Sequence, residues 1–551
     1  MMVLNPLIRS VFNLVALAWA DILIAYAMWM LMIYLTDVWK LAFTHSAGII
    51  NVYMGLTGIM PLFMQFIADT VMGNYWMLLF SSLAYCTGMG FLTMSTPPVL
   101  SKLTGTCGSY EPECIGDTQH ILFYAALALI AVGTAGHVTS LASFLGEQLM
   151  DAIENISTRS IISAYIGNIV TFFVSVVAVL GLPYIKPWSL HFGIPTICIL
   201  VATIIFLSGS RTYTYVGPQG SHLTMVLRVL VAAASKLFRR HPADRYELHG
   251  MSDCPLPRTR FLRCLDKAAL VLPDQSLEQQ QNNRWRLCTV TEVEATKLII
   301  DLIPMAISFI FLGLLSSLGY TYFIEQAKNM NHKVGSLAIP LTIFFWFYIQ
   351  AKMYFPALYF SVSGLFCGFN TRTVAPVIGI MVSMVLGALC CVTAAKVESH
   401  RLHVVKSHGL PDKPDERIPL SVFWLLPQFI LLGAVEGMFE ISAAAFFDLY
   451  FTPALNRYML LFGCVVHGLG CIGSILSVSA VGKVSERGGM PSWFQDTLNK
   501  SRLDNYYWFL CCLCAINLVL YVVIRFWYAC RSTDAQDQDD SEDSSCCCCC
   551  C

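Results

Sequence analysis

The chain has 551 residues, a formal net charge of −1 and only 13% charged residues, whereas 56% of its residues are hydrophobic. Soluble domains carry about 25% charged residues, so roughly half of the usual charge is missing. The balanced net charge excludes the basic footprint of a nucleic-acid-binding protein. The excess of apolar residues indicates a chain whose surface faces lipid.

Apolar windows of about 20 residues, the length that crosses a bilayer, recur along the whole chain. They predict an all-α membrane protein with 12 transmembrane helices in two six-helix halves. The N-terminal half is 1–210 and the C-terminal half is 297–530. The predicted spans are 11–36, 46–68, 76–96, 119–143, 159–182, 187–208, 297–320, 335–360, 373–396, 418–444, 455–480 and 505–529.

A basic linker, 211–296, separates the two halves. Because positive loops stay on the cytoplasmic side, the linker and both termini are expected in the cytoplasm. The stretch 396–417 would then lie outside although it contains five basic residues, against the charge rule. Six spans, a linker and six more spans form the arrangement of major facilitator transporters, which bind their solute between the halves.

Cysteine is abundant, with 22 residues, and most of these lie in apolar runs where the side chain behaves as a small hydrophobe. Cys107 and Cys114 fall in an outer loop, where a disulfide and two free thiols are both open. The segment 531–551 is predicted to be a disordered acidic tail that ends in a cysteine run, Cys546–Cys551. That run is either a low-complexity end or a site of multiple S-acylation or metal contact at the cytoplasmic face.

Five motifs stand in order along nearly the whole chain: Ala68–Trp76, Phe261–Ala269, Trp285–Glu294, Phe423–Phe429 and Leu498–Trp508. Together they resemble the plant nitrate/peptide transporter family, the proton-coupled oligopeptide transporter branch of the major facilitator superfamily. The resemblance implies a proton-dependent secondary transporter of a small polar solute, such as nitrate, a di- or tripeptide or a related plant metabolite. It also implies a multi-pass protein of the plasma or vacuolar membrane whose partners are the solute, protons and the lipid bilayer.

The chain departs from the family where protons are usually handled. Leu17, Ala20 and Asp21 stand where the first-span motif E-x-x-E-R is expected, and Val138 replaces the fourth-span lysine. The seventh-span histidine of some nitrate carriers aligns with Ser316. An uncoupled facilitator, or a non-transporting sensor or scaffold, therefore remains an alternative.

Three carboxylates inside the predicted spans form a candidate proton relay: Asp21, Glu436 and Glu440. Acids within a membrane are costly and mark functional sites by default. Burial raises the pKa of a carboxyl group, and Glu436 and Glu440 are four residues apart on one helix face. Lys352, late in the eighth span, is expected to reach the membrane interface as an anchor.

Further polar residues complete the set of candidates. His137 is a candidate proton-binding group, although a lone histidine beside a glycine is more often a packed helix contact. In the loop after the second span, Asp69 and Gly73 form the candidate gate, since glycine permits the tight turn. No motif for a metal, a nucleotide cofactor or an enzyme nucleophile is present. The candidate cavity-lining residues are Tyr26, Tyr34, Gln65, His137 and Ser316.

Overall fold

The computed structural model of the protein describes most of the chain, including every predicted span in whole or large part. Cys547–Cys551 and the first motif residue of the linker, Phe261, lie outside the described residues. The described residues are 4–105, 107–149, 156–185, 187–218, 220–238, 249, 262–272, 277–281, 283–367, 371–450, 453–487 and 489–546.

The N-terminal half is built from helices that cover the first six predicted spans. Helix α1 begins at Leu4, and a short π-helical turn, Ala68–Met72, joins α3 to α4. Short 3-10 turns at Pro112–Cys114 and Leu182–Tyr184 precede α6 and α8. The helices are α1 Leu4–Trp29, α2 Leu31–Asp37, α3 Phe43–Ile67, α4 Gly73–Met94, α5 Pro97–Thr104, α6 Asp117–Gln148, α7 Ile156–Gly181 and α8 Trp188–Ser208.

The linker and the C-terminal half follow in the same helical style. The seventh span is broken into four short helices, and a two-stranded hairpin follows it. The linker helices are α9 His222–Ser235, a 3-10 helix Arg263–Ala269 and α10 Leu277–Gln281. The remaining elements are α11 Val290–Asp301, α12 Ile303–Ile307, α13 Ile310–Tyr320, α14 Tyr322–Lys328, β1 Lys333–Val334, β2 Leu337–Ala338, α15 Thr342–Cys367, α16 Thr371–Ser407, a 3-10 turn Val422–Leu425, α17 Leu426–Tyr450, α18 Pro453–Ser485 and α19 Leu503–Cys546.

Among the described residues, eight helical stretches are long and apolar enough to cross a membrane. The bent pair Val290–Ile307 and Ile310–Lys328, at 50° to each other, supplies a ninth. One stretch, Phe43–Met94, has 52 residues. A straight helix of that length would be about 78 Å long, more than twice the roughly 30 Å thickness of the hydrocarbon core, so this stretch contains two predicted spans. The fifth and eighth predicted spans are α7 and α15. The all-α membrane fold that the sequence predicts is thus confirmed.

The two ends of the bundle are recognised by their loops. The linker end carries the described residues of the linker, and the disulfide end carries the loop that contains the bond between Cys107 and Cys114. Of the two states that the sequence left open for these cysteines, the structure has the disulfide. Helix α19 continues to Cys546 and so includes the acidic segment for which composition predicts no folded structure.

The structure takes one of the five basic residues at 396–417 out of the surface charge. Helix α16 extends to Ser407, so Arg401 lies inside the helical bundle. Its guanidinium makes two bonds to Glu398, at 2.7 and 2.8 Å, and donates to Asn499 at 2.8 Å. Both charged side chains are almost completely buried. Arg401 is therefore an internal structural charge and contributes nothing to a basic surface loop.

A small cluster folds the described part of the linker against the start of the seventh span. Helix α9 and the 3-10 helix pack their apolar residues against α11. Lys297 bridges Asp266 at 2.5 Å and Glu294 at 2.8 Å, so the linker is bonded to the C-terminal half. Lys236 donates to the carbonyls of two residues that end the 3-10 helix, and burial lowers the pKa of this lysine to about 8.

Candidate functional site

In the N-terminal half, α1, α4 and α6 bring three polar side chains into one hydrogen-bonded chain. Nδ1 of His137 lies 2.8 Å from one carboxylate oxygen of Asp21 and 2.9 Å from the other. Nε2 of the same ring lies 2.8 Å from the hydroxyl of Ser82. The imidazole is 2% exposed, whereas the Asp21 side chain is 24% exposed. The carboxylate is therefore the most accessible end of this hydrogen-bonded chain.

The hydroxyl of Ser82 fixes which proton states this arrangement can hold. Its single hydrogen has two acceptors, the carbonyl of Leu78 at 2.7 Å and Nε2 of His137. When the hydrogen points to Nε2, the imidazole is neutral and donates from Nδ1 to Asp21. When it points to Leu78, Nε2 can carry its own hydrogen, and the ring is an imidazolium that pairs with the carboxylate. Rotation of one hydroxyl accommodates both states.

In the C-terminal half, α15 and α17 form a second charged cluster. The ammonium of Lys352 lies 2.6 Å from Oε1 of Glu440 and 3.3 Å from Oε2 of Glu436. The phenol of Tyr348 also donates to Oε2 of Glu436. The expectation that Lys352 anchors at the membrane interface is wrong, because two carboxylates of another helix hold it inside the bundle. The sequence of the eighth span alone does not contain these partners.

One carboxylate oxygen of Glu436 has no hydrogen-bond donor among the described residues. Its Oε1 is buried and accepts no hydrogen bond from the described residues, although the residue is 7% exposed. The hydroxyl of Ser316 lies within hydrogen-bonding range of Glu436, but its hydrogen is donated to the carbonyl of Leu312 at 3.0 Å. Nε2 of His467, from α18, lies 2.9 Å from the same hydroxyl. Ser316 occupies the position of the seventh-span histidine of some nitrate carriers. In this chain the histidine beside that position is His467, from the eleventh span.

The two clusters are separate, and the proposed direct relay from Asp21 to Glu436 or Glu440 has no contact in the structure. Asp21 is bonded to His137, whereas both glutamates are bonded to Lys352. Tyr53 of α3 lies between the halves, close enough to interact electrostatically with Tyr85 beside His137 and with Tyr320 beside Glu436. A phenol, rather than a carboxylate, therefore occupies the space between the two clusters.

An aromatic layer closes the bundle on the disulfide side of both clusters. Tyr26 packs edge-on to Phe345 at 4.7 Å, and Trp29 stacks on the same ring at 5.2 Å. Trp29 also donates to the carbonyl of Gly319 across the halves at 3.1 Å. Along α1, Asp21 lies five residues, about 7.5 Å, from Tyr26 toward the linker end, and along α15 Lys352 lies seven residues, about 10 Å, from Phe345. Both clusters are therefore at similar depth beneath the layer.

At the linker end, the predicted gating loop joins the two halves. The carboxylate of Asp69 accepts from Gln65 at 2.7 Å and from the phenol of Tyr458 on α18. Gly73 has a φ of +78°, and a Cβ there would meet the carbonyl of Val216 at 3.0 Å, so the turn requires glycine. Nearby, Arg457 donates to the backbone carbonyl of Thr139 on α6.

At the disulfide end, a second set of contacts joins the halves. Lys328 of α14 forms an ion pair with Asp37 of α2 and donates to the hydroxyl of Thr36 at 3.1 Å. The same hydroxyl lies 3.2 Å from a carboxylate oxygen of Glu325. Polar contacts therefore tie the halves together above and below the two charged clusters.

The other predicted cavity residues have structural surroundings. Tyr26 belongs to the aromatic layer, and Gln65 holds Asp69. Tyr34 packs between Trp188 and a neighbouring phenylalanine of α8, inside the N-terminal half. Sequence reasoning missed the roles of Lys352, His467 and Arg457; the signal was that each is an ionisable residue within an apolar helix.

Comparison with known proteins gives consistent matches over this same architecture. The model of the POT family matches residues 75–494. The chain is 41% identical to Protein NRT1/PTR FAMILY 5.5 of Arabidopsis thaliana over 531 residues, 95% of this chain and 98% of the relative. The crystal structure of the POT family transporter PepTSo is similar with a TM-score of 0.65 and 17% identity, covering 95% and 98% of the two chains. A POT family transporter in complex with 5-aminolevulinic acid matches with a TM-score of 0.60 and 11% identity, covering 94% and 96%.

Proposed function

Because the chain belongs to the POT family and is a secondary transporter of small solutes, we propose that it couples solute movement to protons through Asp21 and His137. The observation that supports this proposal is the series of hydrogen bonds from Asp21 through His137 to Ser82, in which rotation of one hydroxyl accommodates both charge states. A site that changes its charge without repacking can load and release a proton during each transport cycle.

The proposed proton site differs from the family's usual one and occupies the same region. Asp21 stands at the expected arginine of E-x-x-E-R, and His137 precedes Val138, which replaces the fourth-span lysine. The chain has lost a charged pair and holds another carboxylate–cation pair between the first and fourth spans. Such a pair is tolerated in a membrane because each partner offsets the other's charge.

The solute is proposed to bind between the halves, beside the cluster of Lys352, Glu436 and Glu440. A solved POT family transporter is in complex with 5-aminolevulinic acid, a small charged molecule, and a charged binding site agrees with a ligand of that kind. Alternating access would then require the disulfide-end contact between Lys328 and Asp37 and the linker-end contact between Asp69 and Tyr458 to open in turn.

We further propose that the linker end faces the cytoplasm, with both termini. The bond between Cys107 and Cys114 at the opposite end suits an oxidising compartment. The basic composition of the linker suits the cytoplasmic face.

The order serine, histidine, aspartate resembles a hydrolase triad, and the surroundings argue against that activity. Ser82 is fully buried inside α4, where no substrate carbonyl can reach its hydroxyl. The backbone amides of a helix interior are bonded within the helix and cannot form an oxyanion hole. The same three groups therefore suit proton binding and give no support to an enzyme.

The test is uptake by the full-length protein in proteoliposomes, with nitrate, dialanine and tyramine as labelled probes at acidic and neutral external pH. Uptake of a probe that rises in acid and is abolished by a protonophore is the expected result. Uptake that is indifferent to pH would identify an uncoupled facilitator. Absence of uptake for every probe would favour a sensor or scaffold.

A further inference from the structure

The charged groups beneath the aromatic layer have an unequal balance of sign. Among the described residues, three carboxylates face this region, those of Asp21, Glu436 and Glu440, and one ammonium, that of Lys352. With neutral imidazoles the region carries two negative charges, and protonation of His137 still leaves one. A negative region flanked by low-dielectric helices repels anions and concentrates cations.

The route by which a solute would enter from the linker end also has an excess of negative charge. Arg457 lies within electrostatic range of two carboxylates, Asp69 and Glu147, so its positive charge is outnumbered there also. A nitrate ion that entered along this path would approach excess negative charge at both levels. Like charge placed along a route is an effective means of rejecting a ligand.

The glutamates lie at the interface between the halves, where a solute must bind. Glu440 is 56% exposed in its side chain, and it lies within electrostatic range of Cys464 and His467 on α18. The carbonyl of Cys464 is in turn so close to Gly58 of α3 that an added Cβ would meet it at 2.8 Å. The carboxylates therefore stand where α15, α17 and α18 meet the N-terminal half.

The environment of Glu436 Oε1 favours a ligand that donates hydrogen bonds. A buried carboxylate oxygen without a donor carries an uncompensated desolvation cost. A carboxylate accepts and cannot donate, so an anion such as nitrate, which has no hydrogen to give, leaves that cost in place. An ammonium group removes it. The cluster already binds one such group, since Lys352 lies 2.6 Å from Glu440 and 3.3 Å from Glu436.

The surrounding rings suit the rest of such a ligand. Tyr348 stacks on Phe345 at 5.6 Å, and Tyr320 meets both of these rings edge-on, at 6.2 and 5.9 Å. Aromatic faces attract organic cations and pack against their apolar parts. We infer that the transported solute is a small organic amine in its cationic form; this inference rests on the proposed transport function. The ammonium of the amine binds Glu436 Oε1, and its apolar body lies against the aromatic layer.

Binding and transport are tested separately so that the two proposals can fail separately. Binding to the purified full-length protein is measured by thermal shift and by calorimetry with tyramine, dialanine and sodium nitrate. Tyramine is expected to bind and to raise Tm, with nitrate inert. Glu436→Gln is expected to weaken tyramine binding at least ten-fold. Glu440→Gln, at a side chain that is 56% exposed, serves as a second variant, with an expected loss of three-fold or more.

The matched control is Glu416→Gln, which removes a carboxylate from an exposed ion pair with Lys413 far from the cluster and should leave tyramine binding unchanged. Tyramine binding without uptake of any probe would uphold the amine site and overturn transport. Uptake of nitrate or dialanine while tyramine neither binds nor competes would uphold transport and overturn the amine site. Tyramine binding that is equal in all three variants, or absent from the native protein, would also overturn it.

Discussion

Asp21 and His137 are 116 residues apart in the sequence, and their carboxylate and imidazole are 2.8 Å apart in the structure. Helix α1 supplies the acid and α6 supplies the ring, so the pair ties the first span to the fourth. Each residue alone is an isolated polar group in an apolar helix. Together they form an ion pair whose charge depends on one proton, and the first prediction follows from that.

Asp21→Asn is expected to abolish the stimulation of uptake by acid. The amide keeps the shape of the carboxylate but cannot pair with an imidazolium, so a charge-assisted bond of about 1.5–3 kcal/mol is lost, about ten-fold or more in proton affinity. Uptake of the best probe is measured across a pH series. His137→Gln should behave alike, whereas His403→Gln, on the exposed surface of α16, should keep the native profile. A native profile in Asp21→Asn would contradict the proposed proton site.

Lys328→Ala is expected to loosen the contact at the disulfide end. The ammonium is paired with Asp37 and bonded to Thr36 across the halves, and partly exposed pairs of this kind are worth about 0.2–1 kcal/mol. The open state should therefore gain population by up to about five-fold. The measurement is the rate at which an impermeant maleimide added on the disulfide side labels Ala20→Cys. Lys413→Ala, which breaks an exposed pair outside the contact, should leave the rate unchanged.

Arg401→Met is expected to destabilise the protein by about 3–5 kcal/mol, because it leaves the fully buried Glu398 without its cation. The double variant with Glu398→Gln should recover part of that loss, since the amide carries no charge to compensate. Unfolding in detergent, followed by circular dichroism against denaturant, measures both. Equal stability of the single and double variants would contradict the expectation that the loss arises from the unpaired charge of Glu398.

Gly58→Ala is expected to disturb the packing of α3 against α18. The added Cβ would lie 2.8 Å from the carbonyl of Cys464 and 2.8 Å from the Cα of Gly468, and backbone atoms cannot move aside as a flexible side chain can. Overpacking of this kind costs about 1–3 kcal/mol. Gly48→Ala, on the same helix with nothing within 4 Å of the new Cβ, is the matched control. Thermal unfolding of the two variants should differ in Tm by several degrees.

The linker cluster should become more stable as the pH rises above about 8. Burial lowers the pKa of Lys236 to about 8, from about 10.5 in an unfolded chain, so the unfolded state binds more protons between these values. Stability rises with pH wherever the unfolded state binds more protons. Amide hydrogen exchange at Ala268 and Leu270 is compared with that of Lys236→Met at each pH. The native protein should gain protection relative to the variant as the pH rises.

The helices and their order could be predicted because lipid imposes a simple rule on composition. A run of about 20 apolar residues has few alternatives to a spanning helix, and the twelve predicted windows coincide with helices. The ends were less predictable. The eighth span begins at Thr342 rather than 335, because the hairpin of β1 and β2 occupies the first residues of that window.

The partners in the candidate site could not be predicted, because they are set by packing between distant helices. Nothing in the first span indicates that Asp21 meets His137, and nothing in the eighth indicates that Lys352 meets Glu440. The spacing of Glu436 and Glu440 did indicate one shared helix face, and both do contact Lys352. Local periodicity therefore predicts which residues lie together on one helix, whereas contacts between helices require the fold.

The bond between Arg401 and Asn499 has a consequence for the processing of the chain. Asn499, Lys500 and Ser501 match the acceptor sequence for an N-linked glycan. In the folded protein the amide of Asn499 accepts from Arg401 at 2.8 Å and donates to the carbonyl of Leu410 at 3.3 Å, and the residue is 7% exposed. A sugar would be attached to Nδ2, the atom that donates to Leu410, and it would have to fit around a buried side chain whose oxygen is held by Arg401. The mature chain should therefore carry no glycan at this asparagine, and its mass should not change there on treatment with an endoglycosidase.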